Sequence, residues 1–342
     1  MTLPLPPDML AIAIDRPGGP EVLVPRRLPL PRPSPGQVLI RVAAAGVNGP
    51  DLAQRRGQYD PPPGASPLPG LEVAGEIAAL GENTTDFTPG DRVMALTNGG
   101  GYAEYAAVPA GQVLPMPKGW RFTEAAALPE TWFTITQTLV LRAGLAEGMW
   151  VLVHGGAGGI GGAAIQICAL LGARAIAVAS SADKARYCLE LGAAAAIDTS
   201  TEDIAERVAA LTGGRGVDRV VDILGGPMAA TNVAVSARGG HIVQISTLAG
   251  GTAEMPLRLM MARDLTLSGS TLRPQPEAVK AAIAAHIRTH FLPALAAPGW
   301  TRPAIATFPL EQAPAAHARM ESRGHRGKLI LQTAFGAGEK PS

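Results

Sequence analysis

The stretch Trp150–Gly172, WVLVHGGAGGIGGAAIQICALLG, constrains the fold of this chain more than any other. Trp150-Val151-Leu152-Val153 is a short apolar run with β-branched residues, the pattern of a buried parallel strand. A glycine-dense turn follows. Beyond it Ile160, Ile165, Cys168 and Leu171 recur at helical spacing, until Gly172 offers a C-terminal stop. Gly156-x-Gly158-x-x-Gly161 has the spacing of a dinucleotide-binding turn. In such a turn one glycine permits a tight bend, one lets bare backbone approach a pyrophosphate, and one lets helix and strand pack closely. The pyrophosphate then lies on unpaired N–H groups at the positive end of the helix dipole. Alone, the motif also fits a glycine-rich loop of any α/β protein. Its context favours the nucleotide: it follows a strand, opens a helix, and has the strand Ala175-Ile176-Ala177-Val178 within one βαβ span.

At 342 residues the chain allows about two domains with a well-buried core. With 47% apolar but only 4% aromatic residues, that core must be aliphatic. A net charge of +1 gives no electrostatic case for nucleic acid or an anionic membrane. Cys168 and Cys188 fall in helical patterns and form no C-x-x-C, so buried reduced thiols are expected, not a disulfide or metal ligands. The N-terminal MTLPLPPDMLAIAIDRPGG has neither a basic leader nor a long apolar run, and no stretch of about 20 apolar residues occurs. A cytoplasmic protein is expected.

Met9 to Leu23 and Val38 to Val42 read as strands, with the proline-rich LPLPRPSPG between them expected to be an irregular surface connection. Glu72–Leu80 and Arg92–Ala95 read as further strands, and Gly99-Gly100-Gly101 precedes the alternating Tyr102-Ala103-Glu104-Tyr105. Short strands with Pro/Gly turns argue for a β-rich, barrel-like module over residues 1–125. From Ala125 the pattern turns helical up to Gly144. Six strands then alternate with helices: Trp150–His154, Ala175–Val178, Ala195–Ile197, Arg219–Ile223, His241–Ile245 and Leu265–Gly269. That alternation marks a doubly wound parallel sheet over residues 126–273. The helix Pro276–His290, the strand Ala304–Pro309, the helix Glu311–Arg323 and the strand Lys328–Thr333 make a tail too small to hold a core alone. Residues 274–342 are therefore expected to complete the first module, with the nucleotide domain inserted and the cleft between the two as the default site.

Several further motifs carry a resemblance. Ala43-Ala44-Ala45-Gly46-Val47-Asn48-x-x-Asp51, Arg56-Gly57-Gln58-Tyr59-Asp60-Pro61-Pro62-Pro63-Gly64, Gly70-Leu71-Glu72-Val73-Ala74-Gly75, Pro89-Gly90-Asp91-Arg92-Val93 and the glycine turn are spread over nearly the whole chain. Together they resemble the medium-chain dehydrogenase/reductases, and within them the zeta-crystallin-type quinone oxidoreductases. QYDPPPG, Ala126-Ala127-Leu128-Pro129-Glu130-Thr131-Trp132-Phe133-Thr134 and Gly269-Ser270-Thr271-Leu272-Arg273 are similar to the branch typified by the tumour-suppressor-induced quinone oxidoreductase. The resemblance implies a Rossmann sheet plus a GroES-like barrel domain. Zinc-dependent relatives place a Cys in the segment Gly46-Val47-Asn48 and a His in Gly70-Leu71-Glu72, where this chain has Asn48 and Leu71. Catalytic zinc needs three N, S or O ligands, which this pair does not provide, so a zinc-free enzyme is expected. His154 is read as a hydrogen-bonded structural residue.

Nucleotide choice rests on the end of the second strand. An NAD site places Asp or Glu about 20 residues past the glycines. Here Val178-Ala179-Ser180-Ser181-Ala182-Asp183-Lys184 ends in two hydroxyls followed by a lysine, which suits the 2′-phosphate of NADPH. Ser181 also reads as a helix N-cap, Lys184 as a surface residue, and Asp183 as a complement to the helix dipole. The resemblance further implies Asn48, Thr134, Gly156, Ala157, Gly158, Gly159, Ile160, Gly161, Thr199 (in place of the family's Tyr), Leu224, Gly225, Ile245, Ser246, Leu272, Arg273 and Lys328 at the nucleotide. On the substrate side it implies Asn48, Tyr59 and Thr134, with Tyr59 and Asn48 polarising an acceptor oxygen and solvent furnishing the proton. An NADPH-dependent reduction of quinones or related electron-poor carbonyls, without metal or flavin, is the expected activity. The alternatives are an enoyl or 2-alkenal reductase and a crystallin-like nucleotide binder with little turnover. The alternating, uncharged Leu265–Ser270 reads as an edge strand that pairs with a second copy in a homodimer.

Overall fold

The computed structural model describes residues 5–339, which divide into two compact units: 5–133 with 273–339, and Thr134–Leu272. The first unit opens with a hairpin of β1 (Asp8–Ile14) and β2 (Leu23–Pro29), which pairs Ile14 with Leu23 and Asp8 with Pro29. This corrects two expectations. Met9 to Leu23 is not one strand, because Asp15–Gly19 reverse the chain. The proline-rich run is not wholly irregular either, since Leu28 and Pro29 close β2. Prolines are tolerated there because, among the described residues, β2 pairs with β1 alone and its outer edge needs no donors.

β3 (Gln37–Gly46) leads into the helix Gly49–Arg55, and β4 (Glu72–Leu80), β5 (Arg92–Leu96), β6 (Tyr105–Pro109) and β7 (Val113–Pro115) follow. The second unit contributes β8 (Trp150–His154), β9 (Arg174–Ala179), β10 (Ala195–Asp198), β11 (Val217–Asp222), β12 (Ser236–Gln244) and β13 (Thr266–Gly269). The tail returns β14 (Ile305–Pro309) and β15 (Lys328–Gln332) to the first unit, where the sheet order is β14-β15-β3-β4-β5-β7 with β6 also on β3. β3 organises this sheet. One of its edges takes β6 along Gln37–Arg41 and β15 along Ala44–Gly46, and its register against β4 shifts twice. Such bulges bend a strand and increase its twist. The barrel-like core they enclose is aliphatic, with Val38, Ile40, Val42, Val73, Ile77, Val93 and Leu331 buried.

All pairings in the second unit are parallel, in the order β10-β9-β8-β11-β12-β13. This is the doubly wound order, and its switch point lies between β8 and β11. The apolar strands pack as Leu152, Ile176, Ile197, Val220 and Ile242. Cys168 and Cys188 are buried free thiols, and burial pushes both up to about 12. The first crossing between units falls at Phe133/Thr134, inside the helix Pro129–Ile135, and not at 125/126. The reason is packing: the preceding helix Phe122–Ala125 rests on β3 and β4 of the first unit. Among the described residues no helix is long and apolar enough to cross a membrane.

Candidate active site

In the second unit the glycine turn follows β8 directly. Gly155, outside the fingerprint, adopts φ +64° and makes the tight bend. A Cβ on Gly156 would meet Ala177 Cβ at 2.8 Å and Cys188 Sγ at 2.9 Å, so this glycine lets the turn lie against β9. A Cβ on Gly161 would overlap the Gly155 carbonyl and reach Gly156 Cα at 2.5 Å, which fixes the close approach of helix to turn. Gly158 is different. Only the Gly155 oxygen stands near it, at 3.4 Å, and it is the uncapped N-cap of the helix Gly159–Leu170. The first N–H groups of that helix, with Gly159, Ile160 and Gly161, present a site for an anion. A dinucleotide pyrophosphate fits it.

The other nucleotide candidates gather at the carboxyl ends of neighbouring strands. Past β9, the Ser181 hydroxyl accepts the Lys184 N–H at 3.4 Å and Lys184 Nζ donates to Ser180 Oγ at 3.3 Å. Asp183 pairs with Arg186 at 2.6 Å on the same helix. Past β10, Thr199 donates its N–H (2.9 Å) and its hydroxyl (3.1 Å) to the Ala179 carbonyl, tying the two strand ends together. Past β11, Leu224 and Gly225 are held by Asp222, whose Oδ1 accepts their N–H groups at 2.6 and 3.0 Å. Past β12, Ile245 N–H bonds the Asp222 carbonyl at 2.8 Å and the Ser246 carbonyl accepts Gln244 Nε2 at 2.6 Å.

Asp222 is a residue that sequence reasoning missed. Its Oδ2 accepts Asn232 Nδ2 at 2.8 Å, and the Asn232 oxygen faces His154 Nε2 at 2.7 Å. Burial pushes His154 down, so the imidazole is neutral; the network assigns its proton to Nε2. One buried chain thus joins the strand before the glycine turn to the loop after β11. The only sequence signal was an acid ending an apolar strand.

In the first unit Asn48 caps the helix Gly49–Arg55, and Asp51 closes the cap by accepting Asn48 N–H and Gly70 N–H, each at 2.8 Å. Asn48 Nδ2 donates to Glu72 Oε1 at 2.8 Å and to the Gly46 carbonyl at 3.4 Å. Its oxygen accepts Lys328 Nζ at 2.5 Å. Lys328 also bonds Glu72 Oε1 at 2.5 Å and the Val47 carbonyl at 3.3 Å. The three side chains are buried, Glu72 completely. Two expectations change. Lys328, placed at the nucleotide by resemblance, has its three donor protons engaged inside this unit. Asn48 has both amide protons engaged, so it is a fixed wall and not a free donor to an acceptor oxygen.

The same geometry decides the fit of zinc. Leu71 is buried apolar packing, and an ammonium already stands between Asn48 and Glu72. Among the described residues no group of three His, Cys, Asp or Glu is placed to hold a metal. The residues do not fit zinc.

Tyr59 is half-buried with the Arg273 guanidinium 5.6 Å from its ring centroid. Burial first and then the Glu130 carboxylate raise its phenol above the ordinary range. Arg273, expected at the nucleotide, is buried and bonds the Asn98 carbonyl at 2.7 and 3.0 Å and Gln54 Oε1 at 2.8 Å. Lys280, fully buried, donates to Asn98 Oδ1 and to the Arg273 carbonyl, each at 2.6 Å, and burial pushes it down to about 8. Leu272, just before Arg273, is buried. Thr134 is buried on the helix Pro129–Ile135, where its carbonyl accepts the Thr138 hydroxyl at 2.7 Å.

Two carboxyls stand out. Burial raises Asp51 to about 6, and burial together with Glu72 raises Glu130 to about 8. Behind Asp51 runs a buried series. Tyr102 Oη lies 3.3 Å from Asp51 Oδ2 and 3.0 Å from His317 Nε2. His317 Nδ1 is 3.4 Å from Arg55, which pairs with Glu321 at 2.5 Å. His317 is pushed down to about 3 by burial and by Arg55, hence neutral. This is an anchor for the Asn48 loop and not a proton path, since a guanidinium does not release its proton.

Comparison with known proteins agrees with this architecture. The family described as alcohol dehydrogenase GroES-like domain matches residues 34–118, and that described as zinc-binding dehydrogenase matches residues 159–287. The chain is 32% identical to the human quinone oxidoreductase over 331 residues, 94% of this chain and 97% of that protein. It is 33% identical to the rat synaptic vesicle membrane protein VAT-1 homolog, over 88% of this chain and 78% of that protein. Among solved structures, a Pseudomonas syringae quinone oxidoreductase aligns with a TM-score of 0.82 at 30% identity, covering 95% of this chain and 99% of that one. A mycobacterial protein complexed with NADPH aligns with a TM-score of 0.82 at 30% identity, over 95% and 100% of the two chains. With a doubly wound nucleotide unit, a GroES-like unit and this likeness over nearly its whole length, the chain belongs to the medium-chain dehydrogenase/reductase family of oxidoreductases.

Proposed function

We propose that the chain is an NADPH-dependent reductase of quinones and related electron-poor carbonyl compounds that works without metal or flavin in the cytoplasm. The observation that carries the reading is the Lys328 ammonium between Asn48 and Glu72, in the segments where zinc-dependent relatives supply ligands. An enzyme without that Lewis acid is poorly equipped to lower an alcohol's pKa and better suited to reducing an acceptor already electron-poor. The identity of about a third to quinone oxidoreductases supports the same class. The NADPH-bound mycobacterial relative supports the nucleotide, as do Ser180, Ser181 and Lys184 in place of a carboxylate.

Each group then has a task. The N–H groups from Gly158 to Gly161 receive the pyrophosphate. Ser180, Ser181 and Lys184 receive the 2′-phosphate, with Thr199 bracing the strand ends. Asp222 holds Leu224 and Gly225, and Ile245, Ser246 and Thr134 complete the nucleotide's surroundings. The bound nicotinamide supplies a hydride. Tyr59 donates a hydrogen bond to the acceptor oxygen beside the buried charge of Arg273, and Asn48 shapes the wall. A second copy of the chain pairs along β13, where Leu267 is exposed.

The test is NADPH and NADH oxidation by purified protein against quinones, 2-alkenals and ketones, with metal analysis of the same sample. Quinone turnover that survives exhaustive chelation supports the reading. Turnover confined to 2-alkenals assigns an enone reductase instead, and no turnover with tight NADPH binding assigns a nucleotide binder.

A further inference from the structure

Six histidines are spread over the chain, and three of them are spent on hydrogen bonds already made. His154 Nε2 meets Asn232, His317 lies between Tyr102 and Arg55, and His241 Nε2 meets Ser268 Oγ at 2.7 Å. His325 sits in the loop before β15. The other two form a pair. His286 and His290 are spaced i, i+4 on the helix Glu277–His290, so both rings leave one side of its last turn. That helix is alanine-rich and buries Lys280, Ile283, Ala284 and Ile287 at helical spacing, which fixes its orientation on the first unit. The two histidines flank the buried stripe, His286 half-buried and His290 exposed. Their ring centroids stand 4.4 Å apart with the planes tilted by 42°, and His286 packs edge-on against Phe291 at 5.4 Å. Among the described residues neither ring has a hydrogen-bond partner, so their nitrogens are uncommitted.

We propose that His286 and His290 form a two-imidazole site for one divalent transition-metal ion, copper(II) in preference to zinc. The spacing suits chelation. With metal–nitrogen bonds of about 2.0–2.1 Å, two imidazoles side by side on one ion hold their ring centres about 4.5–5 Å apart. Small rotations of the two side chains therefore bring a nitrogen of each to a shared point. Burial, and then the neighbouring His290, push His286 down, so at neutral pH it is neutral, as a metal ligand must be. The carbonyls of the last helical turn add the negative end of the helix dipole, which favours a cation there. Phe291 closes one side of His286, and water completes the coordination on the open side. Nitrogen ligands hold copper(II) more tightly than nickel or zinc. By bridging i and i+4 the ion clips the last turn, where the Phe291 N–H donates to the Ile287 carbonyl at 2.9 Å. The site shares no residue with the Asn48, Glu72 and Lys328 cluster and carries no step of the reduction.

The experiment titrates the full chain, stripped with a chelator and desalted, with CuCl2 and separately with ZnCl2 in a calorimeter. One saturable Cu2+ per chain is expected, with Zn2+ bound more weakly. His286→Ala and His290→Ala should each lose this binding, because one imidazole alone makes no chelate. His241→Ala, whose ring is held by Ser268, should keep it. Alanine suits an exposed helical position, so the variants should fold, and matching circular dichroism and melting without metal checks that they do. Hydrogen exchange gives a second readout: saturating Zn2+ should slow exchange of the Phe291 amide in the wild type and not in the double variant His286→Ala/His290→Ala. A wild type without saturable Cu2+ binding, or Cu2+ binding that the double variant retains unchanged, overturns the proposal. Binding is read with no nucleotide or quinone present, so the outcome stands apart from the reductase reading above.

Discussion

Removing the Lys328 ammonium tests whether the buried charge pair, and not general packing, holds Asn48 and Glu72 in place. Lys328→Met keeps most of the side-chain volume and deletes the bonds to Asn48 Oδ1, Glu72 Oε1 and the Val47 carbonyl. Glu72, fully buried, would retain only Asn48 Nδ2 and Glu130 N–H as donors, both neutral. Breaking a buried pair from one side costs about 3–5 kcal/mol, because an uncompensated charge stays behind. For a domain of about 150–250 residues each kcal/mol moves the melting temperature by about 2–4 °C, which gives a loss of about 6–20 °C. Replacing both partners, Lys328→Met with Glu72→Gln, removes the stranded charge and should return more than half of that loss. The assay is thermal unfolding followed by circular dichroism, with exposed Lys118→Met as control. If Lys328→Met melts within about 2 °C of that control, or if the double variant is no more stable than the single one, the reasoning from the pair is wrong.

Gly161→Ala should abolish dinucleotide binding by calorimetry and lower stability, since its methyl would overlap the Gly155 carbonyl. Gly158→Ala, whose methyl would meet only the Gly155 oxygen at an ordinary contact distance of 3.4 Å, should fold normally and weaken binding alone. Lys184→Ala should weaken NADPH by about 10–100-fold, the worth of one charge-assisted bond, and leave NADH unchanged; equal losses would sink the 2′-phosphate assignment. At micromolar concentration light scattering should give a dimer, and Leu267→Pro, which places a residue without an N–H in β13, should shift it to monomer; a monomeric wild type contradicts the edge-pairing proposal.

Much of the nucleotide unit was legible because its signals are local. Strand and helix periods separate cleanly between Trp150 and Gly269, and apolar strands buried on both faces leave parallel pairing as the physical solution. The glycine spacing announced a phosphate turn, because close backbone approach excludes a side chain whatever surrounds it. Yet the bend itself belongs to Gly155, whose left-handed φ no spacing rule selects. The edge position that admits Pro25 and Pro29 into β2 was likewise invisible, since it depends on which neighbour a strand lacks. The site shows the same division more sharply. Residue types marked Asn48, Tyr59 and Lys328 as chemically interesting, but the direction in which an amide or an ammonium points is set by partners far along the chain. Lys328 meets Asn48 across 280 positions and Arg273 meets Gln54 across 219. Burial, which turns Glu130 into an acid at neutral pH and His154 into a neutral link to Asn232, is a property of the packed interior. The sequence by itself determined the elements and the kind of nucleotide turn; only the tertiary structure decided which polar groups are already satisfied and which remain to act.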